Sequence, residues 1–245
     1  MKHILMIATG GTIASKETAD GLTPQLTSEE LLAEVPELEQ LCRIDTVQLM
    51  NRDSTNINSR DWLQMAACVR GHYDAYDGFV LTHGTDTMEE TAYFLQLTSK
   101  CSKPVVMVGA MLPSTGLSAD GPRNLYNAVL TAAEPETAKM GVVVAMDNIV
   151  VGARDVIKTN TVQPETFQGA NFGKLGTIFN NKVEYEVTPV RKHTTETPFD
   201  VTKLDALPKV GIVYNHAGVE GVQAEALVKA GYKGIVNAGV GNGNI

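Results

Sequence analysis

Two short loops carry the hydroxyl and carboxyl groups with which this sequence could do chemistry. The first loop runs from Thr9 to Ser15 and reads TGGTIAS. It directly follows an apolar run, and its two glycines let the backbone turn sharply and come close to a ligand. Thr12 is therefore a candidate nucleophile. A phosphate-binding turn or a plain β-turn would explain the same residues, although the common nucleotide-binding glycine patterns are missing from the sequence.

The second loop runs from Thr82 to Thr91 and reads THGTDTMEET. A local explanation covers part of it. Thr87 and Glu90 have the spacing of a capping box, and Asp86 near a helix N-terminus would interact favourably with the helix dipole. That explanation leaves out Thr85, which lies beside the glycine at the end of a predicted strand. Thr85 is therefore a second candidate for chemistry.

A third segment, from Gly152 to Thr161, contains Lys158 among polar, turn-forming residues. Taken alone, Lys158 would be a surface lysine, as most lysines are. Beside a threonine and an aspartate in a cleft, it could hold or take a proton, because desolvation readily lowers the pKa of a lysine.

These loops need a scaffold, and the alternation of β-branched runs with helical segments predicts an α/β fold with a largely parallel sheet. In such sheets the carboxyl ends of the strands form the ligand crevice. A capping box at Thr27 and Glu30 predicts a short helix to about Ala33, and Ser59 is the predicted cap of the next helix. The main predicted strands cover 3–8, 44–49, 78–82, 105–108, 142–146 and 149–151, and the main helices cover 59–70, 87–98 and 119–133.

Composition and charge narrow the function. The net charge of -8 argues against nucleic acid and against an anionic membrane surface as partners, and no apolar run approaches ~18 residues. A small polar substrate is compatible with this charge. The five histidines are scattered and the three cysteines have long, odd spacings, so we predict no metal site and no cofactor. Reduced thiols and no visible secretory signal predict a cytoplasmic protein.

The length of 245 residues allows one large domain with part of a second. We predict an N-terminal domain over 1–188, a linker over 189–208 that contains three prolines, and the start of a C-terminal α/β domain over 209–245. A βαβ unit that ends just past its second strand cannot close a doubly wound layer by itself. The second domain is therefore expected to be incomplete, with an exposed strand edge.

The two loops together resemble the signature segments of bacterial L-asparaginases. TGGTIA at 9–14 and HGTDTMEET at 83–91 carry the resemblance, and it covers essentially the whole chain. It extends to Asp53-Ser54 and to the segments 108–122, 152–161 and 240–244. The resemblance implies a large N-terminal α/β domain joined to a smaller one. It also implies a homotetramer of intimate dimers, with active sites between subunits.

The resemblance also implies roles for individual residues. Thr12 would attack the side-chain amide carbon of asparagine, forming an acyl-threonine that water hydrolyses to aspartate. Thr85, Asp86 and Lys158 would form a supporting triad, since a threonine hydroxyl needs a neighbouring base. Asp86 would also bind the substrate's α-ammonium group. The other implied substrate-binding residues are Asp53 and Ser54, the backbone groups of Gly11, Gly84 and Ala110, and Asn244 donated by a neighbouring subunit.

Two departures accompany the resemblance. Many family members have a tyrosine on the flap after the first loop, where this sequence aligns Leu22, which can neither donate a hydrogen bond nor relay a proton. The chain also ends where the family's second domain is half built, which predicts a fragment lacking on the order of 80 residues, about half a typical domain.

Three interpretations stay open from the sequence. The first is an asparaginase. The second is a glutaminase-asparaginase of broader specificity or a related amidotransferase subunit, because one methylene is discriminated by only ~1–3 kcal/mol. The third is a truncated, catalytically impaired remnant.

Overall fold

The computed structural model describes residues 1–18, 21–24 and 26–245, with side chains outside 16–25. It divides into two compact units, Met1–Lys203 and Leu204–Ile245. The division falls inside the predicted linker 189–208, and the part of that linker before the division belongs to the first unit. There the hydroxyl of Thr197 donates to the carbonyl of Leu97 at 2.5 Å. The domain assignment stays a prediction.

The first unit is built on one sheet of eight strands. Its elements are β1 His3–Gly10, β2 Ser15–Thr18, β3 Gly21–Pro24, α1 Ser28–Ala33, β4 Arg43–Arg52, α2 Ser59–Gly71, β5 Gly78–Thr82, α3 Met88–Thr98, β6 Val105–Val108, α4 Gly121–Ala133, β7 Val142–Met146, β8 Ile149–Gly152, β9 Val156–Lys158, β10 Phe167–Gly169, β11 Gly176–Phe179 and β12 Lys182–Tyr185.

The strand order in the eight-stranded sheet is β12-β11-β8-β7-β6-β5-β1-β4. The five strands from β4 to β7 are parallel, and β8, β11 and β12 extend the sheet antiparallel. The predicted α/β class with a mainly parallel sheet is confirmed.

The sheet is buried on both faces by helices. Successive side chains of a strand point to opposite faces, so Ile4 and Met6 of β1 pack with α1 and α4, whereas Leu5 and Ile7 pack with α2 and α3. Strands buried on both faces read as continuous apolar runs. For this reason the apolar runs in the sequence correctly predicted the central strands.

Of the three predicted helix caps, one was correct and two were wrong. The capping box of Thr27 and Glu30 is present. The predicted cap of α2 was wrong: Asn58, one residue earlier, accepts from the backbone of Arg60. The predicted capping box of Thr87 and Glu90 was also wrong.

The loops after the central strands come together at one end of the sheet. From β1 the chain first passes to β4 on one side of β1 and then crosses back to β5 on the other side. The strand order therefore reverses beside β1, and this end of the sheet is a topological switch point. The contact is close, because a Cβ added to Gly11 would lie 2.3 Å from the backbone nitrogen of Gly84. A Cβ added to Gly84 would lie 2.7 Å from the Cβ of Ser54. Three loops therefore stack with little space between their backbones.

The second unit is a single βαβ motif. Strands β13 Val210–Tyr214 and β14 Gly234–Ala238 are parallel, and helix α5 Val222–Lys229 connects them. The side chain of Leu227 covers Gly211, where a Cβ would lie 2.5 Å from Leu227 Cδ1. No helix in the described ranges is long and apolar enough to cross a bilayer.

Replacing Gly11 should destabilise the first unit more than replacing Gly173. Both glycines have positive φ, 85° and 76°, but of the two only Gly11 has backbone atoms close to the added Cβ. We expect Gly173→Ala to cost about 1–2 kcal/mol, the usual left-handed penalty. Gly11→Ala should cost clearly more for two reasons: with ψ of 179° its backbone lies in a region essentially restricted to glycine, and the backbone of Gly84 cannot move aside without moving the loop. Urea unfolding of both variants tests this, and equal losses of stability would contradict it.

Candidate active site

A pocket of about 240 Å³ lies where the three loops meet. Eight of the ten residues predicted from the sequence line it, and three further residues join them. The eight are Gly11, Thr12, Asp53, Ser54, Gly84, Thr85, Asp86 and Lys158, and the three are Ser15, Met111 and Thr161.

Lys158 connects two of the predicted groups. Its ammonium donates to the hydroxyl of Thr85 at 2.8 Å and to Oδ1 of Asp86 at 2.5 Å. The lysine side chain is only 14% exposed, whereas the Asp86 side chain is 54% exposed. Charge-assisted hydrogen bonds of this length fix the ammonium position. The carboxylate of Asp86 keeps an accessible side from which it can accept from a ligand.

Ser54 forms the wall beneath Asp86. Its hydroxyl accepts from the backbone N–H of Asp86 at 3.2 Å, and its carbonyl accepts from the hydroxyl of Thr87 at 2.9 Å. This tertiary contact takes Thr87 away from the capping role predicted for it. A hydroxyl that accepts can still donate its own proton, so Ser54 can donate to an acceptor in the pocket. Asp53 caps the short helix Ser54–Asn56 by accepting from the backbone of Thr55 at 3.1 Å.

Thr12 begins a short 3₁₀ helix, Thr12–Ala14, directly after the Gly11 turn. The turn is fixed from both sides: the N–H of Gly11 donates to the carbonyl of Arg52 at 3.0 Å, and the Gly11 carbonyl accepts from the hydroxyl of Ser15 at 2.9 Å. Thr12 itself is partly exposed to the pocket. A hydroxyl in this position can reach a bound substrate.

The loop after β6 is held by Asp120. Its carboxylate accepts from the backbone N–H groups of Met111 at 2.9 Å and Leu112 at 2.9 Å, and from the side-chain amide of Asn124 at 3.0 Å. Ala110 is buried in this loop, next to Met111. The structure thus places Ala110 beside the pocket lining and Met111 in it.

A buried hydrogen-bond chain supports the Gly84 turn. His83 is fully buried, with its Nδ1 2.7 Å from the Gly84 carbonyl and its Nε2 2.9 Å from the hydroxyl of Thr91. A carbonyl only accepts, so Nδ1 carries the proton and Nε2 accepts from Thr91. The Thr91 oxygen in turn accepts from the indole N–H of Trp62 at 2.8 Å. Burial lowers the pKa of His83 to about 4, so the imidazole is neutral.

Two sequence expectations are not tested by these contacts. Asn244 belongs to the second unit, where its carbonyl accepts from the backbone of Val240 at 2.9 Å. Its substrate-binding role stays a prediction. The side chain of Leu22 lies outside the described residues, so the expectation that it replaces the flap tyrosine also stays a prediction.

Sequence reasoning missed Ser15, Met111 and Thr161 as lining residues. Each belongs to a segment that the sequence had already singled out: 9–15, 108–122 and 152–161. Their place in these three segments was the available signal. Among the described residues, no group of three or more His, Cys, Asp and Glu side chains is placed to hold a metal ion.

The pocket brings together threonine hydroxyls, an aspartate and a lysine, which are residue types that enzymes with a hydroxyl nucleophile use. The family described as "Asparaginase, N-terminal" matches residues 3–191. The chain belongs to the asparaginase family.

Similar proteins agree with this assignment. The chain is 53% identical over 249 residues to "L-asparaginase 2" of Escherichia coli, covering 100% of this chain and 72% of that protein. It is 51% identical to "Probable L-asparaginase periplasmic" of Haemophilus influenzae, again over 100% of this chain and 71% of that one. Among solved structures, "Probable Cytoplasmic L-asparaginase from Campylobacter jejuni" matches with a TM-score of 0.94 and 44% identity, over 100% of this chain and 76% of that chain.

The burial of His83 predicts an acid-dependent loss of stability. Its folded pKa of about 4 lies below the ordinary value of 6.5, so the unfolded chain binds the extra proton between these values. The contribution of the neutral imidazole to the unfolding free energy is therefore fully present above pH 6.5 and is lost as the pH decreases. Between pH 7 and pH 5 the imidazole alone should cost about 2 kcal/mol of unfolding free energy.

The measurement is urea unfolding at both pH values for the parent and for His83→Gln, with His72→Gln as the control at a partly exposed histidine. The pH-dependent loss should shrink in His83→Gln and persist in His72→Gln. A parent whose stability is the same at pH 7 and pH 5 would refute the neutral imidazole.

Proposed function

We propose that this chain hydrolyses the side-chain amide of L-asparagine to L-aspartate and ammonia, with Thr12 as the nucleophile. The observation that carries the proposal is the Lys158 ammonium, which contacts Thr85 and Asp86 in the same pocket that Thr12 lines. The names of the similar proteins support it. A hydrolase that uses a threonine needs such a set of groups, because a hydroxyl is a weak nucleophile without a neighbour to manage its proton.

The pocket offers a partner for each end of an amino acid. The exposed carboxylate of Asp86 would pair with the substrate's α-ammonium group. The hydroxyl of Ser54 would donate to the α-carboxylate. These two contacts would orient the side-chain amide, and orientation of this kind lowers the entropic cost of the reaction.

The reaction would proceed in two acyl transfers. The Thr12 oxygen bonds to the amide carbon, and its proton leaves with the departing ammonia. Backbone N–H groups at the glycine turns would stabilise the oxyanion that forms in between. Water then attacks the acyl-threonine, which restores the Thr12 hydroxyl and releases aspartate. Thr85, with Lys158 beside it, would take part in the transfer of the proton that this water loses.

Assembly and compartment are further proposals. The family resemblance supports a homo-oligomer of intimate dimers, in which Asn244 would approach a neighbouring subunit's substrate. The name of the similar Campylobacter jejuni protein supports a cytoplasmic location, whereas the name of the Haemophilus influenzae protein points to the periplasm. Light scattering tests the assembly.

Removing the Thr12 hydroxyl should abolish amide hydrolysis. We expect Thr12→Ala to lower kcat by at least about a thousandfold, as losing a nucleophile does in hydroxyl-dependent hydrolases. The measurement is ammonia release from asparagine and from glutamine by the full chain, sized beforehand by light scattering.

Thr12→Ser is the matched control, because it keeps a hydroxyl and should retain measurable activity. Thr161→Ala changes another lining threonine and should be much less harmful. If Thr12→Ala is as active as the parent, the threonine mechanism is wrong.

Neutralising Asp86 should weaken binding in a substrate-dependent way. We expect Asp86→Asn to raise KM for asparagine about tenfold or more, since a hydrogen bond between charged groups contributes ~1.5–3 kcal/mol. Succinamic acid has the same amide and carboxylate but no α-ammonium group. For succinamic acid the parent and the variant should differ much less. An equal rise in KM for both substrates would assign Asp86 to another role.

A further inference from the structure

Glu89 holds the backbone of Lys158. It is the second residue of α3, and its carboxylate accepts from the Lys158 N–H at 2.6 Å. Lys158 ends β9, which pairs along one edge with β10, so its N–H faces the other edge of a two-stranded sheet. A backbone N–H withdrawn from water needs an acceptor. Here the acceptor is a carboxylate at a helix N-terminus, where negative charge is favourable.

Both ends of Lys158 are therefore fixed to the same short segment. The ammonium contacts Thr85 and Asp86, and the backbone contacts Glu89, four residues after Thr85. A lysine side chain has four rotatable bonds and a high rotamer entropy. Fixing its backbone relative to Thr85 limits the range of positions that the ammonium can occupy.

We propose that Glu89 is a positioning residue: through the Lys158 N–H it sets the distance from the Lys158 ammonium to the Thr85 hydroxyl. The inference rests on the proposed function, in which that pair handles a proton. Glu89 does not itself need to touch the substrate. The hydrogen-bond acceptor, and not the negative charge, is the essential property of its side chain.

A general docking of α3 against this segment is the competing explanation. The two also meet one helical turn further on, where Nη1 of Arg154 donates to the Tyr93 hydroxyl at 3.0 Å. Tyr93→Phe removes that hydrogen bond, keeps the ring against the Arg154 guanidinium and leaves the Lys158 N–H untouched. It is therefore the control for the loss of one hydrogen bond between the same two elements.

The test compares Glu89→Ala, Glu89→Gln and Tyr93→Phe in the full chain. We expect Glu89→Ala to lower kcat for asparagine about ten- to a hundredfold with KM nearly unchanged, since small misplacements near the chemistry have effects of this size. Glu89→Gln keeps an oxygen acceptor and should stay within a few-fold of the parent. Tyr93→Phe should behave like the parent.

A second measurement does not depend on activity. The rate at which an amine-reactive ester acylates Lys158 is followed by peptide mass mapping, with the exposed Lys139 as an internal reference. In Glu89→Ala the released ammonium should react several-fold faster than in the parent, whereas Glu89→Gln and Tyr93→Phe should not change the rate.

The outcomes separate the two proposals. If the parent releases no ammonia from asparagine, the proposed function fails, and the acylation rates still decide whether Glu89 positions Lys158. Unchanged acylation in a folded Glu89→Ala protein overturns the positioning role. So does a Glu89→Gln variant as impaired as Glu89→Ala, because the charge would then be what matters.

Discussion

The pocket depends on the close approach of two backbone turns at the end of the sheet. Gly11 and Gly84 come so near that a single added Cβ would overlap a main-chain nitrogen. Glycine is required at Gly11 because φ is positive and the space is already taken. This approach brings the Thr12 turn against the turn that carries Thr85 and Asp86. Ser54, in the loop after β4, packs against Gly84. Main-chain packing therefore fixes the positions of these lining residues, whatever rotamers their side chains adopt.

Much of the scaffold could be predicted from the sequence because its causes are local. Strand β6 is apolar along its whole length and β1 is apolar from Ile4 to Ala8, since helices cover both faces of the sheet. The cap at Thr27 needs only Glu30, three residues away. Thr87 had the same local pattern, but its hydroxyl donates to the Ser54 carbonyl, 33 residues distant in the sequence. A tertiary acceptor outcompeted the local one, and no short pattern reveals such a competition.

The residues of the candidate site also differ in how far the sequence could predict them. Thr12, Thr85 and Asp86 follow strands directly, so their place at the carboxyl ends of the sheet could be expected from the chain alone. Lys158 stood out from its own segment only as a lysine among polar residues, and the resemblance to asparaginases grouped it with Thr85 and Asp86. Local sequence alone could not predict these contacts, because β9 belongs to a separate two-stranded sheet and meets Thr85 only in the folded unit. Met111 and Asp120 were hidden for a related reason. Asp120 holds the loop by accepting from main-chain N–H groups, which every residue except proline possesses.

The hydrogen-bond chain from Trp62 through Thr91 and His83 runs in one direction and ends on the Gly84 carbonyl. A trans peptide unit is planar, and its C=O and N–H point in opposite directions. The Thr85 N–H shares its plane with that carbonyl and must therefore point away from the buried imidazole. A neutral histidine inside the protein thus aims a main-chain dipole whose orientation is established during folding, so no reorientation is needed when a ligand arrives.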